Sequence, residues 1–281
     1  KNLVDWEFVG DAFSEKTKPT WGKYNSGLWA PDIIKINGVY NLYYSFSTWN
    51  DPNPGIGVAT STSLEGPWVD QGMILNTETS GIKNSIDQFV FIHEDRVYMM
   101  WGSYRGLYVT ELTSDGLRLK EDAEFTLVGG FEDSSKFEAP YIIKKDNYYY
   151  LFISLGHCCL GLDSTYYVNV LRSTSPLGPF VDKEGKKLLG EETLGELVVR
   201  GNNEIAGPGH NAVTQDDNGD FWLVYHGYDT DYILGSYGSS PRRSLLIDKL
   251  EWTEDGWPYV KNYGSTKKSQ PAPYIDYSKY N

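Results

Sequence analysis

One motif recurs four times along this chain, and that recurrence limits the folds open to it. Trp29–Ser45 reads WAPDIIKINGVYNLYYS, and Glu138–Ser154 reads EAPYIIKKDNYYYLFIS, 109 residues further on without a gap. Asp87–Ser103, DQFVFIHEDRVYMMWGS, aligns with the first unit at an offset of 58, and His210–His226, HNAVTQDDNGDFWLVYH, at an offset of 181. Each unit reads as a strand, a tight turn and a second strand, and Asn218-Gly219 falls on Asn37-Gly38, a strong hairpin signal. Runs of β-branched and aromatic residues separated by Gly, Pro, Asn and Asp fill the rest, with no long segment of helical period, so the chain is read as all-β.

A second motif follows these heads. Ser61–Asp70 is STSLEGPWVD and Ser173–Asp182 is STSPLGPFVD. Similar outer-strand tails are read at Gly106–Leu119, Arg242–Val260 and, at the very start, Asn2–Val9. A head plus its tail makes about four strands, and units of ~40–50 residues with four strands indicate propeller blades. Four heads and five tails predict one five-bladed β-propeller over residues 1–281, its first blade lacking the inner hairpin. A β-sandwich would not place one motif at four near-regular offsets.

Charge and composition remove several functions. With 25 basic and 38 acidic residues the formal charge is −13, which argues against nucleic acid and against a polybasic membrane contact. The longest near-apolar run, Tyr148–Leu155, is far shorter than the ~18–20 residues of a membrane span. Lys1–Phe13 does not read as a signal peptide, although a mature secreted chain would look the same. Cys158 and Cys159 are adjacent, so they make no staple across the fold; they are read as two small buried thiols, with a vicinal disulfide as the alternative. Aromatic residues make up 15% of the chain. Many must be core, but a surplus lining a groove suits sugars, whose C–H faces stack on rings.

The aligned units also share a first column, occupied by Trp29, Asp87, Glu138 and His210. Starts of inner strands converge on a propeller axis, so two carboxylates, an imidazole and an indole are expected to meet in one central site. Charges gathered there are costly unless paired or functional. Two carboxylates flanking a bond are the equipment of glycoside hydrolysis. The column holds no Ser or Cys nucleophile, and four scattered histidines do not make a zinc site.

With these residues in view the chain resembles glycoside hydrolase family 43, and within it the endo-1,5-α-L-arabinanases. The matching motifs are Trp29-Ala30-Pro31-Asp32, Asn84-Ser85-Ile86-Asp87, Gly102-Ser103-Tyr104, Glu138-Ala139-Pro140-Tyr141, Cys158-Cys159-Leu160-Gly161 followed by Ser164-Thr165-Tyr166, and Gly207-Pro208-Gly209-His210. The Cys-Cys element with Ser-Thr-Tyr favours arabinanases over the family's xylosidases. Two departures are Gln88, where the family usually has Pro, and Leu160, where Arg is common.

The resemblance implies inverting cleavage of internal α-1,5 bonds in arabinan. Glu138 would be the general acid, and Asp87 the acid that orients it and raises its pKa. Trp29, Asn84, Ser103 and Tyr104 would contact sugars, and His210 would lie near a calcium ion held mostly by water. The general base, an Asp, normally sits on the first blade's inner strand. Asp5 and Asp11 lie in a tail, and Asp32 points away from the column by strand alternation, so the base is not found in this chain. An N-terminal segment of ~30–45 residues completing that blade is therefore an expected partner. Two other readings stay open: a carbohydrate-binding propeller without catalysis, and an exo-acting enzyme whose cleft is blocked by Asn50–Gly55 or Asp229–Ser240. A polysaccharide substrate implies a secreted or periplasmic protein.

Overall fold

The computed structural model describes residues 2–232, 235–237 and 240–280. Its first blade in chain order is β1 (Gly27–Ile36), β2 (Val39–Ser47), β3 (Gly55–Ser61) and β4 (Val69–Asn76). The second is β5 (Phe89–His93), β6 (Arg96–Trp101), β7 (Leu107–Glu111) and β8 (Thr126–Gly129). The third is β9 (Phe137–Lys145), β10 (Tyr148–Leu155), β11 (Tyr167–Ser173) and β12 (Glu196–Arg200). In the fourth, β13 (Ile205–Gln215) and β14 (Phe221–Asp229) pair with β17 (Ser244–Trp252) and β18 (Pro258–Val260). A small ribbon, β15 (Ser236–Tyr237) with β16 (Ser240–Pro241), lies between them in sequence.

The four repeated heads are thus the four inner hairpins. Asn37 and Gly38 both take positive φ, 50° and 86°, as a two-residue hairpin turn requires. The β13–β14 turn is longer than Asn218-Gly219 alone implied. It spans the residues between Gln215 and Phe221 and is organised by Asp216, whose Oδ1 accepts the N–H groups of Asn218 and Asp220.

The blades are held by apolar seams. Residues alternate along a strand, so one strand serves both neighbours. Met99 and Trp101 of β6 pack toward β1–β4 with Tyr43, Ile56 and Val58, whereas Met100 packs with Phe137, Leu151 and Ile153. Tyr150 and Phe152 of β10 turn to the third seam, against Val213, Leu223 and Trp257. The far face of the first blade differs: Tyr44 and Phe46 are covered by Phe13, Trp21 and Trp68.

One expected strand is not there. Asn2–Val9 carries no β-structure. No described segment runs alongside to pair with its backbone, and an unpaired strand is not stable in water. Asn2 Oδ1 instead accepts from the N–H groups of Val4 and Asp5, and Trp6 and Phe8 are exposed.

Candidate active site

Local backbone shape brings the column together. Ala30, Asp87, Ala139 and His210 all have positive φ, between 45° and 61°, and the pairing register breaks beside Trp29 in β1 and on both sides of Gly209 in β13. Such bulges re-aim side chains at the end of a strand. Ligating atoms of Asp87, Glu138 and His210 end within 4.8 Å of one another. Asp87 and Glu138 are buried, at 6% and 8% exposure. Trp29 is half-buried, its ring 5.8 Å from that of the exposed Trp49.

Glu138 is braced from two sides. Ser103 Oγ donates to Oε2 at 2.7 Å, and the Tyr166 hydroxyl donates to Oε1. The other residues expected to touch sugar are tied to protein. The Tyr104 hydroxyl donates to the Gly156 carbonyl, and Asn84 Nδ2 donates to the Ser103 carbonyl at 2.9 Å.

Burial and the charge of Glu138 push the Asp87 carboxyl well above its ordinary range, against a hydrogen bond from the Ala139 backbone. Asp87 Oδ2 is buried without a hydrogen-bond partner. Two carboxyls this close in a dry site resist joint ionisation. Burial lowers the pKa of His210, and the Arg243 charge adds to it against the pull of Glu138. Burial also raises the Tyr166 hydroxyl well above its usual value.

Tyr166, His226 and Arg243 complete the site; Tyr166 was visible as a motif member without a role, and His226 and Arg243 were not singled out from the sequence. His226 stacks between Tyr166 and His210, with centroids 5.9 and 6.1 Å away. Arg243 Nη1 lies 3.1 Å from His226 Nε2, and burial and this cation hold His226 well below its ordinary pKa. Guanidinium only donates, so Nε2 accepts and the proton resides on Nδ1. The available signal was the last column of the same alignment: Ser45, Ser103, Ser154 and His226. Cys158 and Cys159, favoured above as buried thiols, are joined to each other and half-buried, and Arg243 Nη1 approaches Cys159 Sγ at 3.7 Å. Leu160 is exposed beside them.

No third carboxylate joins the cluster among the described residues. Asp32 Oδ2 accepts the Val90 N–H at 2.7 Å, and burial pushes its carboxyl to about 7. Asp5 is exposed and bonds to Asn2. The donors fit part of what calcium needs. The imidazole of His210 favours its neutral form, which leaves a ring nitrogen able to ligate, whereas Asp87 would have to lose its proton first. Both Glu138 oxygens already accept hydroxyl protons. Calcium takes six to eight ligands, so these residues suit an ion completed mostly by water.

Comparison with known proteins gives one family and two modes of action. The profile of the Glycosyl hydrolases family 43 matches residues 1–258. The chain is 33% identical to the extracellular exo-alpha-(1->5)-L-arabinofuranosidase ArbA of Cellvibrio japonicus, over 92% of this chain and 78% of that protein. It is 34% identical to the extracellular endo-alpha-(1->5)-L-arabinanase 1 of Bacillus subtilis, over 84% and 69%. The structure of Cellvibrio cellulosa alpha-L-arabinanase complexed with arabinohexaose superposes with a TM-score of 0.79 at 32% identity, covering 94% of this chain and 89% of that one.

Proposed function

Because this chain belongs to glycosyl hydrolase family 43, we propose that it hydrolyses internal α-1,5 bonds of L-arabinan with inversion, as a secreted enzyme whose full domain is a single five-bladed propeller. The observation that carries the reading is the cluster of Asp87, Glu138 and His210 at the axial ends of separate blades.

Glu138 donates a proton to the leaving glycosidic oxygen. Asp87 beside it keeps a proton on the pair at pH values where an isolated carboxyl has lost it. Ser103 and Tyr166 fix the direction in which Glu138 points. These two carboxyls are not the acid and base of inversion. Their oxygens lie within 4.8 Å, while an inverting pair stands about 6.5–9.5 Å apart to admit a water. The closer spacing is nearer that of a retaining pair, so on the inverting mechanism proposed here the base is a third acid. Ser45, Ser103 and Ser154 each bond to the column residue of the next blade. His226 ends that series, and the strand bearing the base belongs beside it.

Trp29 and Trp49 form the sugar platform. His210 would hold a calcium ion completed by water, which supplies positive charge beside the carboxylates. The Asn50–Gly55 loop is bound through Asp51 to Lys23 and through Asn53 to Glu78, not to the cluster, which favours an open cleft and endo action. Of the other candidate blocking loop, Asp229–Ser240, Ile233, Leu234, Gly238 and Ser239 lie outside the described residues.

The test is product analysis on debranched arabinan. Endo action gives a spread of oligosaccharide sizes early, and NMR shows the β-anomer first. A single product size assigns exo action, and binding without cleavage assigns a carbohydrate-binding propeller.

A further inference from the structure

Gln88 links the aromatic platform to the carboxylates. It is 5% exposed. Its Nε2 donates to the carbonyl of Ala30, next to Trp29, at 2.5 Å. Its Oε1 accepts from Ser45 Oγ at 2.9 Å, and Ser45 Oγ in turn accepts the Asp87 N–H at 3.0 Å. The polarity of this run is forced. A carbonyl only accepts, the serine has one proton, and that proton points to the amide oxygen. Asp87 sits at φ 61°, a left-handed conformation that costs an L-residue energy, though Asp tolerates it better than most.

On the arabinan reading above, we propose that Gln88 is a positioning residue: with Ser45 it sets the distance from the Trp29 platform, where a pentose stacks, to Asp87 and thus to Glu138.

Three variants test this: Gln88→Met, which keeps length and loses both hydrogen bonds; Ser45→Ala; and the double. On linear arabinan each single change should lower kcat about 5- to 20-fold with KM within about twofold, as expected for hydrogen bonds of this class. The double should lose no more than the larger single loss, because all three break one run. Amide exchange at Asp87 should speed up in every variant, a readout that does not depend on catalysis. Wild-type protein that leaves arabinan intact but shows this exchange difference removes the substrate reading and keeps the link. Unchanged exchange at Asp87, or a lowered Tm with kcat intact, overturns it. If Gln88→Met does not fold, Ser45→Ala decides by the same two measurements.

Discussion

At the first and third seams, a serine holds the next blade by its backbone. Ser45 accepts the Asp87 N–H and donates to the Gln88 amide; Ser154 accepts the His210 N–H at 2.9 Å and donates to Asn211 Oδ1 at 3.1 Å. At the middle seam the equivalent Ser103 forms a backbone bridge with Glu138 and gives its proton to the carboxylate. The cause is one residue further along. Gln88 and Asn211 offer the serine proton an amide oxygen, whereas Ala139 has none to offer. One scaffold position therefore serves as a latch in two places and as a brace for the proposed acid in the third.

Breaking the middle seam at its centre should have the largest effect. Glu138→Gln keeps the shape and can still accept one of the two hydroxyl protons, but has no acidic proton to transfer. It should lower kcat/KM on linear arabinan by ~10²–10⁴-fold, and by less on a substrate with an activated aryl leaving group, as steady-state rates on both will show. Below the rim the three seams are alike, so Leu151→Ala, at a fully buried position, should cost ~2–5 kcal/mol of stability in denaturant unfolding and spare kcat in the folded fraction.

The brace itself comes next. Tyr166→Phe and Ser103→Ala each remove one hydrogen bond to a carboxylate, worth ~1.5–3 kcal/mol, and should reduce kcat about 10- to 100-fold. Ser154→Ala, at a latch, should lower Tm more than it lowers kcat. Equal kcat losses at Ser103 and Ser154 would erase the distinction between brace and latch.

The smallest effect separates Asp87 from Asp32, a second aspartate pushed up by burial but satisfied by the Val90 N–H. Its folded pKa, about 7, lies above the ordinary aspartate value of 3.8. Its contribution to stability is therefore full below about pH 4 and falls as pH rises to 7. Asp32→Asn keeps an acceptor for Val90 and does not titrate. Its Tm relative to wild type should rise between pH 4 and pH 7, by thermal unfolding at several pH values.

The heads, their turns and the column were legible because they rest on local signals: alternation, Asn-Gly, and residues repeated at fixed offsets. Asp87, Glu138 and His210 were found that way. Ser103 and Tyr104 were visible as motif members, but the destinations of their hydroxyls, Glu138 and Gly156, were not. Asn2–Val9 resembled a tail in pattern, yet a strand needs a neighbour and none of the described segments supplies one. His226 and Arg243 stand 17 residues apart in sequence, and no spacing rule connects them.

The sequence by itself determined that this chain makes repeated antiparallel hairpins and that acids occupy equivalent positions in them, because hydrophobic period and turn chemistry act over a few residues. Only the tertiary structure decided which proton each hydroxyl gives to which oxygen, and that Asp87 rather than an exposed acid is pushed up in pKa. Desolvation and hydrogen-bond direction arise where two blades meet, between residues such as Ser45 and Gln88, 43 positions apart.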